Sequence, residues 1–412
     1  MRTLGLAFLL AAAACSDSGP SFPGGEDALR QLGDHLAKPF PERPPLEQQP
    51  FATVALSREQ AETAGQMLWN DLRARLESER MAELAAKTVT AAGFTMKYDY
   101  KTFGAAPAGG HSLFISLHGG GMAPPEVNDQ QWQNQIGLYQ PAEGIYLAPR
   151  APTDTWDLWH QQHIDPLLDR LIANHVAFAG VDPDRVYIMG YSAGGDGVYQ
   201  LAPRMADRWA AAAMMAGHPN DASPLPLRNI GFTGHVGALD ADYMRNDKLV
   251  EWKSRLAQLA QGDPGAYQNE LQLHEGKGHW MDLEDAVAVP WMAKFNRNRF
   301  PDRVVWVQDD VVGRRLYWLA LEPEQSVGPT SQLTVKRDGR KFEVEERTGF
   351  VSFAIRLSDE MVDLDQTITV TYAGTTVATV KPVRTIATIA RTLGEREQAS
   401  GIFPAEVIVN LP

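Results

Sequence analysis

Cysteine is almost missing from this chain: Cys15 is the only one in 412 residues. No disulfide can therefore close within it, and any folded domain must rest on its apolar core and hydrogen bonds. A basic surplus is missing too. Lys and Arg number 38 against 51 Asp and Glu, a formal charge of −13, which excludes nucleic acid as the expected partner because no cationic surface is left to replace phosphate counterions. The N-terminal apolar run, residues 4–14, is far shorter than the roughly 20 residues a membrane-spanning helix needs. No internal repeat is found, which argues against solenoids and propellers. What remains is ordinary: 44% hydrophobic and 22% charged residues, enough chain for one large core and a smaller module.

Arg2 followed by the apolar run reads as a secretion signal over residues 1–14. It ends in Ala12-Ala13-Ala14-Cys15, which resembles the bacterial lipobox, where small residues precede a cysteine that is diacylated and becomes the mature N-terminus. The resemblance implies lipidation at Cys15 and a cell-envelope lipoprotein facing the periplasm or the exterior, with Ser16 suited to outer-membrane sorting in a Gram-negative host. The alternative is a buried thiol beside a conventional cleavage site. Residues 15–50, rich in Pro, Gly, Ser and charge, are expected to form a flexible tether. A helical extension is expected over 51–109: Ser57 and Gln60 form a capping-box pattern, and Leu68, Leu72, Leu76 and Leu84 recur at helical spacing, which predicts a helix over 57–87 packed on the following domain.

Between residues 110 and 300 short apolar runs alternate with amphipathic stretches, the α/β pattern of a mostly parallel sheet flanked by helices. Strands are predicted at 113–117, 145–148, 186–189, 210–215, 230–236 and 270–274, and helices at 157–176, 194–205, 244–260 and 280–296. From 301 to 412 alternating segments separated by Gly, Asp and Pro turns predict a small all-β module, sandwich-like, of about seven strands.

Gly190-Tyr191-Ser192-Ala193-Gly194 follows a predicted strand and opens a predicted helix, the context of a nucleophile elbow. So tight a turn leaves room for little side chain on either flank and pushes the serine hydroxyl outward. Independently, His118-Gly119-Gly120-Gly121 follows the strand at 113–117. Acyl transfer builds negative charge on a carbonyl oxygen, and amides aimed at it are worth about 3–4 kcal/mol each. Gly120, Gly121 and Ala193 are the candidate donors, and His118 is read as structural. A serine needs a base and the base an acid, in the chain order nucleophile, acid, histidine. His279, in the glycine-bearing loop after the strand at 270–274, is the candidate base. His274 lies inside a strand, and His218 and His235 precede any suitable acid. Asp240, three residues after Gly237, is the candidate acid, with Asp242 as the alternative or as a helix cap. Trp132, Trp156, Trp159 and Trp280 are either pocket-lining or core. The chemistry needs no cofactor and no metal.

Leu117-His118-Gly119-Gly120-Gly121, Gly190-Tyr191-Ser192-Ala193-Gly194-Gly195, Gly237-Ala238-Leu239-Asp240 and Gly278-His279-Trp280 together resemble the α/β-hydrolase superfamily, in its bacterial esterase and prolyl-oligopeptidase-like branch. The resemblance spans about 90–300 and implies a serine hydrolase with a Ser-Asp-His triad, most simply an esterase acting on a small-molecule or carbohydrate ester. Peptidase or amidase action would use the same residues, although no segment has the length of the prolyl-oligopeptidase propeller. A surface-binding lipoprotein using the fold as a scaffold is a third reading.

Overall fold

The computed structural model describes residues 24–412, so Cys15 and the leader lie outside the described residues. Two helices come first, α1 (Gly25–Leu36) and α2 (Arg58–Ala86). The N-terminus of α2 makes both halves of its capping box, Ser57 Oγ accepting the Gln60 amide at 3.2 Å and Gln60 Oε1 accepting the Ser57 amide at 3.0 Å.

The large sheet is built from β1 (Thr88–Ala91), β2 (Phe94–Phe103), β3 (His111–Leu117), β4 (Gly144–Arg150), β5 (Val181–Tyr191), β6 (Ala211–Met215), β7 (Gly231–Gly237) and β8 (Asn269–His274). Their order across the sheet is β1-β2-β4-β3-β5-β6-β7-β8, antiparallel between β1, β2 and β4 and parallel from β4 to β8. Helices α3 (Pro125–Ile136), α4 (Ile164–Phe178), α5 (Ala193–Arg204), α6 (Arg245–Gly262) and α7 (Ala288–Met292) connect and flank the strands. β6 and β7 are buried along their whole length, as strands covered on both faces must be.

The C-terminal module holds two sheets, β10 (Arg315–Leu316), β11 (Leu319–Ala320), β14 (Ser352–Leu357) and β17 (Ala405–Asn410) in one, and β16 (Thr375–Val380), β15 (Ile368–Tyr372), β13 (Lys341–Thr348), β12 (Gln332–Asp338) and β9 (Arg303–Val307) in the other. Trp306 with Phe350, and Trp318 with Phe342, fill the space between them at ring separations of 5.3 and 5.6 Å. One hydrophobic core runs from the large sheet into this module without a break.

Several expectations are corrected. The stretch expected as a tether contains α1, whose Ala28 and Leu32 are buried against α2. The large sheet begins at residue 88, not 110, because Met96, Tyr98 and Tyr100 alternate on β2 and place it beside β4. The module is not all-β: α8 (Ile386–Arg396) buries Ile386, Ile389 and Leu393 against Leu68, Leu72 and Leu76, so the helix expected to pack on the following domain docks largely on the last one. The bidentate pair of Arg80 with Glu397 closes that contact. The helix expected over 280–296 is broken, since Asp282 and Leu283 adopt φ of 53° and 64° and only a short turn and α7 follow.

Candidate active site

β5 ends on Tyr191 and α5 begins at Ala193, which leaves Ser192 alone at the turn with φ 58° and ψ −123°. A Cβ on Gly190 would lie 2.2 Å from Gly194 O, and one on Gly194 would lie 2.1 Å from Leu117 O. Only glycine fits on either flank, and the serine is held in a conformation that L residues avoid. His279 Nε2 sits 3.0 Å from Ser192 Oγ, and His279 Nδ1 sits 2.8 Å from Asp240 Oδ2. The three side chains come from the ends of β5, β7 and β8, all within the run β5-β6-β7-β8 that forms one half of the sheet. The chain folds as an α/β-hydrolase.

Asp240 and His279 differ in environment. The Asp240 side chain is 2% exposed and His279 is 43% exposed, so the carboxylate is fixed inside while the imidazole faces the approach to the serine. Asp240 is framed by its own turn, its amide bonding Gly237 O at 3.0 Å, and by Arg245, whose Nη1 lies 3.4 Å from Oδ1. The His279 loop is pinned from below by Tyr191, whose hydroxyl donates to His279 O at 2.7 Å and accepts the Met281 amide at 3.2 Å. Asp242 is exposed and stands apart from His279; only its carbonyl is engaged, by Arg245. It does not cap α6, whose first turn is preceded by Met244.

The glycine loop after β3 lies against the serine: a Cβ on Gly119 would be 3.1 Å from Ser192 Cβ. Its amides are not equivalent. Gly121 N–H donates to Asn128 Oδ1 at 2.9 Å, while Asn128 Nδ2 donates to Ala123 O and Asp154 Oδ1. The Gly121 donor is thus already used, a correction to the expected set, whereas the Gly120 N–H has no acceptor among the described residues. Ala193 is the first residue of α5, where an amide has no partner inside the helix. His118 is buried and its ring is fully engaged, Nδ1 donating to Gly119 O at 2.6 Å and Nε2 accepting the Ala151 amide at 3.1 Å. Burial pushes its pKa down to about 4, so it stays neutral and shapes the loop.

Around Ser192, His279 and Asp240 stand exposed apolar side chains: Met122 after the glycine loop, Leu239 beside Asp240, Tyr243 and Met244, and Trp280 beside His279. Trp156 meets Tyr243 at 5.6 Å and Trp280 meets Tyr191 at 5.8 Å between ring centres. Trp159 by contrast is core, and Trp132 donates to Ala148 O from a half-buried position. Asp196, one turn along α5 from the serine, accepts the His218 amide at 2.6 Å, and burial raises its carboxyl to about 6. Under the acid and base loops, His235 Nδ1 and His274 Nε2 lie 3.1 Å apart. His235 Nε2 faces Thr233 Oγ1 at 2.9 Å, that hydroxyl donates to Glu270 O at 2.8 Å, and His274 Nδ1 faces Glu284 Oε2 at 3.3 Å. Among the described residues no group of three or more His, Cys, Asp or Glu is arranged to hold a metal.

No family model matches the chain. Over 176 residues it is 30% identical to a protein of Nocardia uniformis subsp. tsuyamanensis named "Putative esterase NocK", covering 40% of this chain and 50% of that one. It thus spans about half the length of this curated relative. Among solved structures, a thermostable esterase is similar over 51% of this chain and 62% of its own, at 17% identity and a TM-score of 0.38. A feruloyl esterase module from Clostridium thermocellum is similar over 50% and 86%, at 15% identity and a TM-score of 0.36. A Bacteroides ovatus protein named "putative dipeptidyl aminopeptidase IV" is similar over 50% and 35%, at 9% identity and a TM-score of 0.39.

Proposed function

We propose that the protein is a carboxylic ester hydrolase working through an acyl-enzyme on Ser192. The observation that carries this reading is the continuous path from Ser192 Oγ through His279 to Asp240 at 3.0 and 2.8 Å. Ser192 Oγ attacks the ester carbonyl as His279 Nε2 takes its proton, and Asp240 accepts the Nδ1–H and stabilises the imidazolium. The amides of Ala193 and Gly120 receive the developing oxyanion. As the tetrahedral intermediate collapses, His279 returns the proton to the departing alkoxide and the alcohol leaves. Water then attacks the acyl-serine by the same exchange in reverse, releasing the acid. The similarity to a protein named as an esterase supports this reaction class. The exposed apolar side chains around the site support an ester with a bulky apolar or aromatic group. Lipidation at Cys15 would set the enzyme on an envelope membrane; Cys15→Ser then abolishes palmitate incorporation.

A panel of aryl and sugar esters beside peptide substrates, with Ser192→Ala as the blank, tests the reading. Ester turnover that vanishes in the variant is expected. Turnover that persists in the variant, or peptide cleavage that outpaces every ester, would overturn it.

A further inference from the structure

A cavity of about 710 Å³ shares no residue with the triad or its loops. It lies where the start of α4 and the end of α5 meet the β1–β2 turn, residues 311–315 of the module and the end of α8. Five arginines line it, Arg204, Arg208, Arg314, Arg315 and Arg396, against three aspartates, Asp165, Asp169 and Asp207. The charges are unevenly matched. Asp169 is shared by Arg208 at 2.6 Å, Arg315 at 3.0 Å and Arg396 at 3.4 Å, while Asp207 also pairs with Arg396 and Asp165 holds Arg204 at 2.7 Å. From behind the lining, Asp309 reaches Arg204 at 3.6 Å, and Glu395 reaches Arg315 at 3.8 Å but is already held by both nitrogens of Arg356. Arg314, exposed at the rim, bonds only the carbonyl oxygens of Glu322, Pro323 and Gln325 and has no carboxylate partner.

The rest of the wall is apolar. Phe94 and His163 stack at 3.8 Å with their planes 14° apart, and Val311 and Val312 add aliphatic surface. Four polar atoms of this shell make no hydrogen bond: Arg204 Nη1 and Arg208 Nε, which have only their ion pairs with Asp309 and Asp169, and Arg315 Nε and His163 Nε2, the last in a residue only 9% exposed. A network serving only to weld the module to the sheet domain would close this space and pair its donors. Instead there remains a volume suited to a small ligand, with surplus guanidinium donors beside a flat aromatic wall.

We propose that this cavity binds a small organic anion. A carboxylate or phosphate group is held by Arg314 and Arg315, and an apolar or aromatic body rests on Phe94 and Val312. The ligand would bridge both folded units.

Calorimetric titration of the full chain with phenyl phosphate, inorganic phosphate and benzyl alcohol tests this. Saturable 1:1 binding of phenyl phosphate is expected, weaker binding of inorganic phosphate, and none of benzyl alcohol. Arg314→Gln should raise the phenyl phosphate Kd about tenfold or more. Phe94→Ala should weaken phenyl phosphate while leaving inorganic phosphate unchanged. Both side chains are exposed, so both variants should melt within a few degrees of the parent, and Ser192→Ala should bind as the parent does. The proposal fails if phenyl phosphate does not saturate, if inorganic phosphate or benzyl alcohol binds as tightly, if Arg314→Gln binds normally, or if Ser192→Ala loses the binding.

Discussion

The loops at the C-terminal ends of β3, β5, β7 and β8 leave Met122, Leu239, Tyr243, Met244, Trp280 and Leu283 exposed. Met122, Ser192, Tyr243, Met244 and Leu283 among their residues also hold left-handed φ. In the C-terminal module the large apolar side chains Trp318, Phe342, Phe350 and Phe353 are fully buried, and β13 alternates inward and outward for much of its length. The first region gathers strained backbone and large exposed apolar side chains around one point; in the module left-handed φ is scattered over Tyr317, Thr330, Ala373 and Glu397, and the exposed large hydrophobics are only Val351, Val380 and Val383. Strain and exposure of this kind persist only where something besides stability selects them, so the contrast separates residues that act from residues that hold.

The contrast sharpens if changes in the first region cost rate and changes in the second cost stability. The largest effect is expected at Asp240. Asp240→Asn keeps the shape but can leave His279 in the wrong tautomer, and kcat should drop on the order of ten-thousandfold with the melting temperature nearly unchanged. A variant that instead unfolds early and retains its rate would erase the distinction. Next comes Trp318→Ala in the module, which removes a fully buried ring packed on Phe342. Denaturant titration should show a loss of about 3–5 kcal/mol, while kcat per folded molecule stays at the parent value.

A third test concerns Asp196, whose carboxyl is raised from 3.8 to about 6 by burial. Because the folded value lies above the unfolded one, its contribution to stability is complete below pH 3.8 and is lost as pH rises through about 6. Asp196→Asn, which can still accept the His218 amide, should therefore gain on the parent between pH 4 and 6, by on the order of 2–3 kcal/mol, and hold a constant lead above that. A lead that does not change with pH would mean the carboxyl is not perturbed. The smallest effect belongs to Asp242→Asn. It lies among the strained loops but touches nothing catalytic, so rate and stability should both stay within about twofold or 0.5 kcal/mol of the parent.

How much of this was legible in the sequence follows from which interactions are local. The elbow at Ser192 is written in five consecutive residues because its constraint is steric and immediate. The five strands β3–β7 announce themselves by apolar runs because both faces are covered, and the edge strand β8 by the alternation of Leu271 and Leu273 with exposed Glu270 and Gln272. α3 gives no such signal: its buried residues are Asn128 and Gln135, which pack through hydrogen bonds to the Gly121 amide and to Ser116 Oγ. α1 hides among prolines and charges, and α8 among strands, because each gains its buried face from other parts of the chain, chiefly α2 and the segment at Phe51 and Ala52. The loss of the Gly121 donor depends on a side chain seven residues away, and the support of the His279 loop by Tyr191 spans 88 residues. Neither has a local pattern. On β2, however, the alternation of Met96, Tyr98 and Tyr100 was present to be read.

The paired imidazoles under the acid and base loops form an arrow. The single hydroxyl hydrogen of Thr233 is given to Glu270 O, so Thr233 Oγ1 can only accept, and His235 must present Nε2–H to it. His235 Nδ1 is then bare and must accept Nε2–H from His274. Every hydrogen in the row points the same way, from the rim at Glu284 inward to a strand carbonyl. The two histidines, alike in kind, are therefore unlike in freedom. His235 is locked into one tautomer by the sheet itself, and burial pushes its pKa to about 3. His274 has only one of its nitrogens, Nε2, committed to that row, and its Nδ1 faces the carboxylate of Glu284 at 3.3 Å.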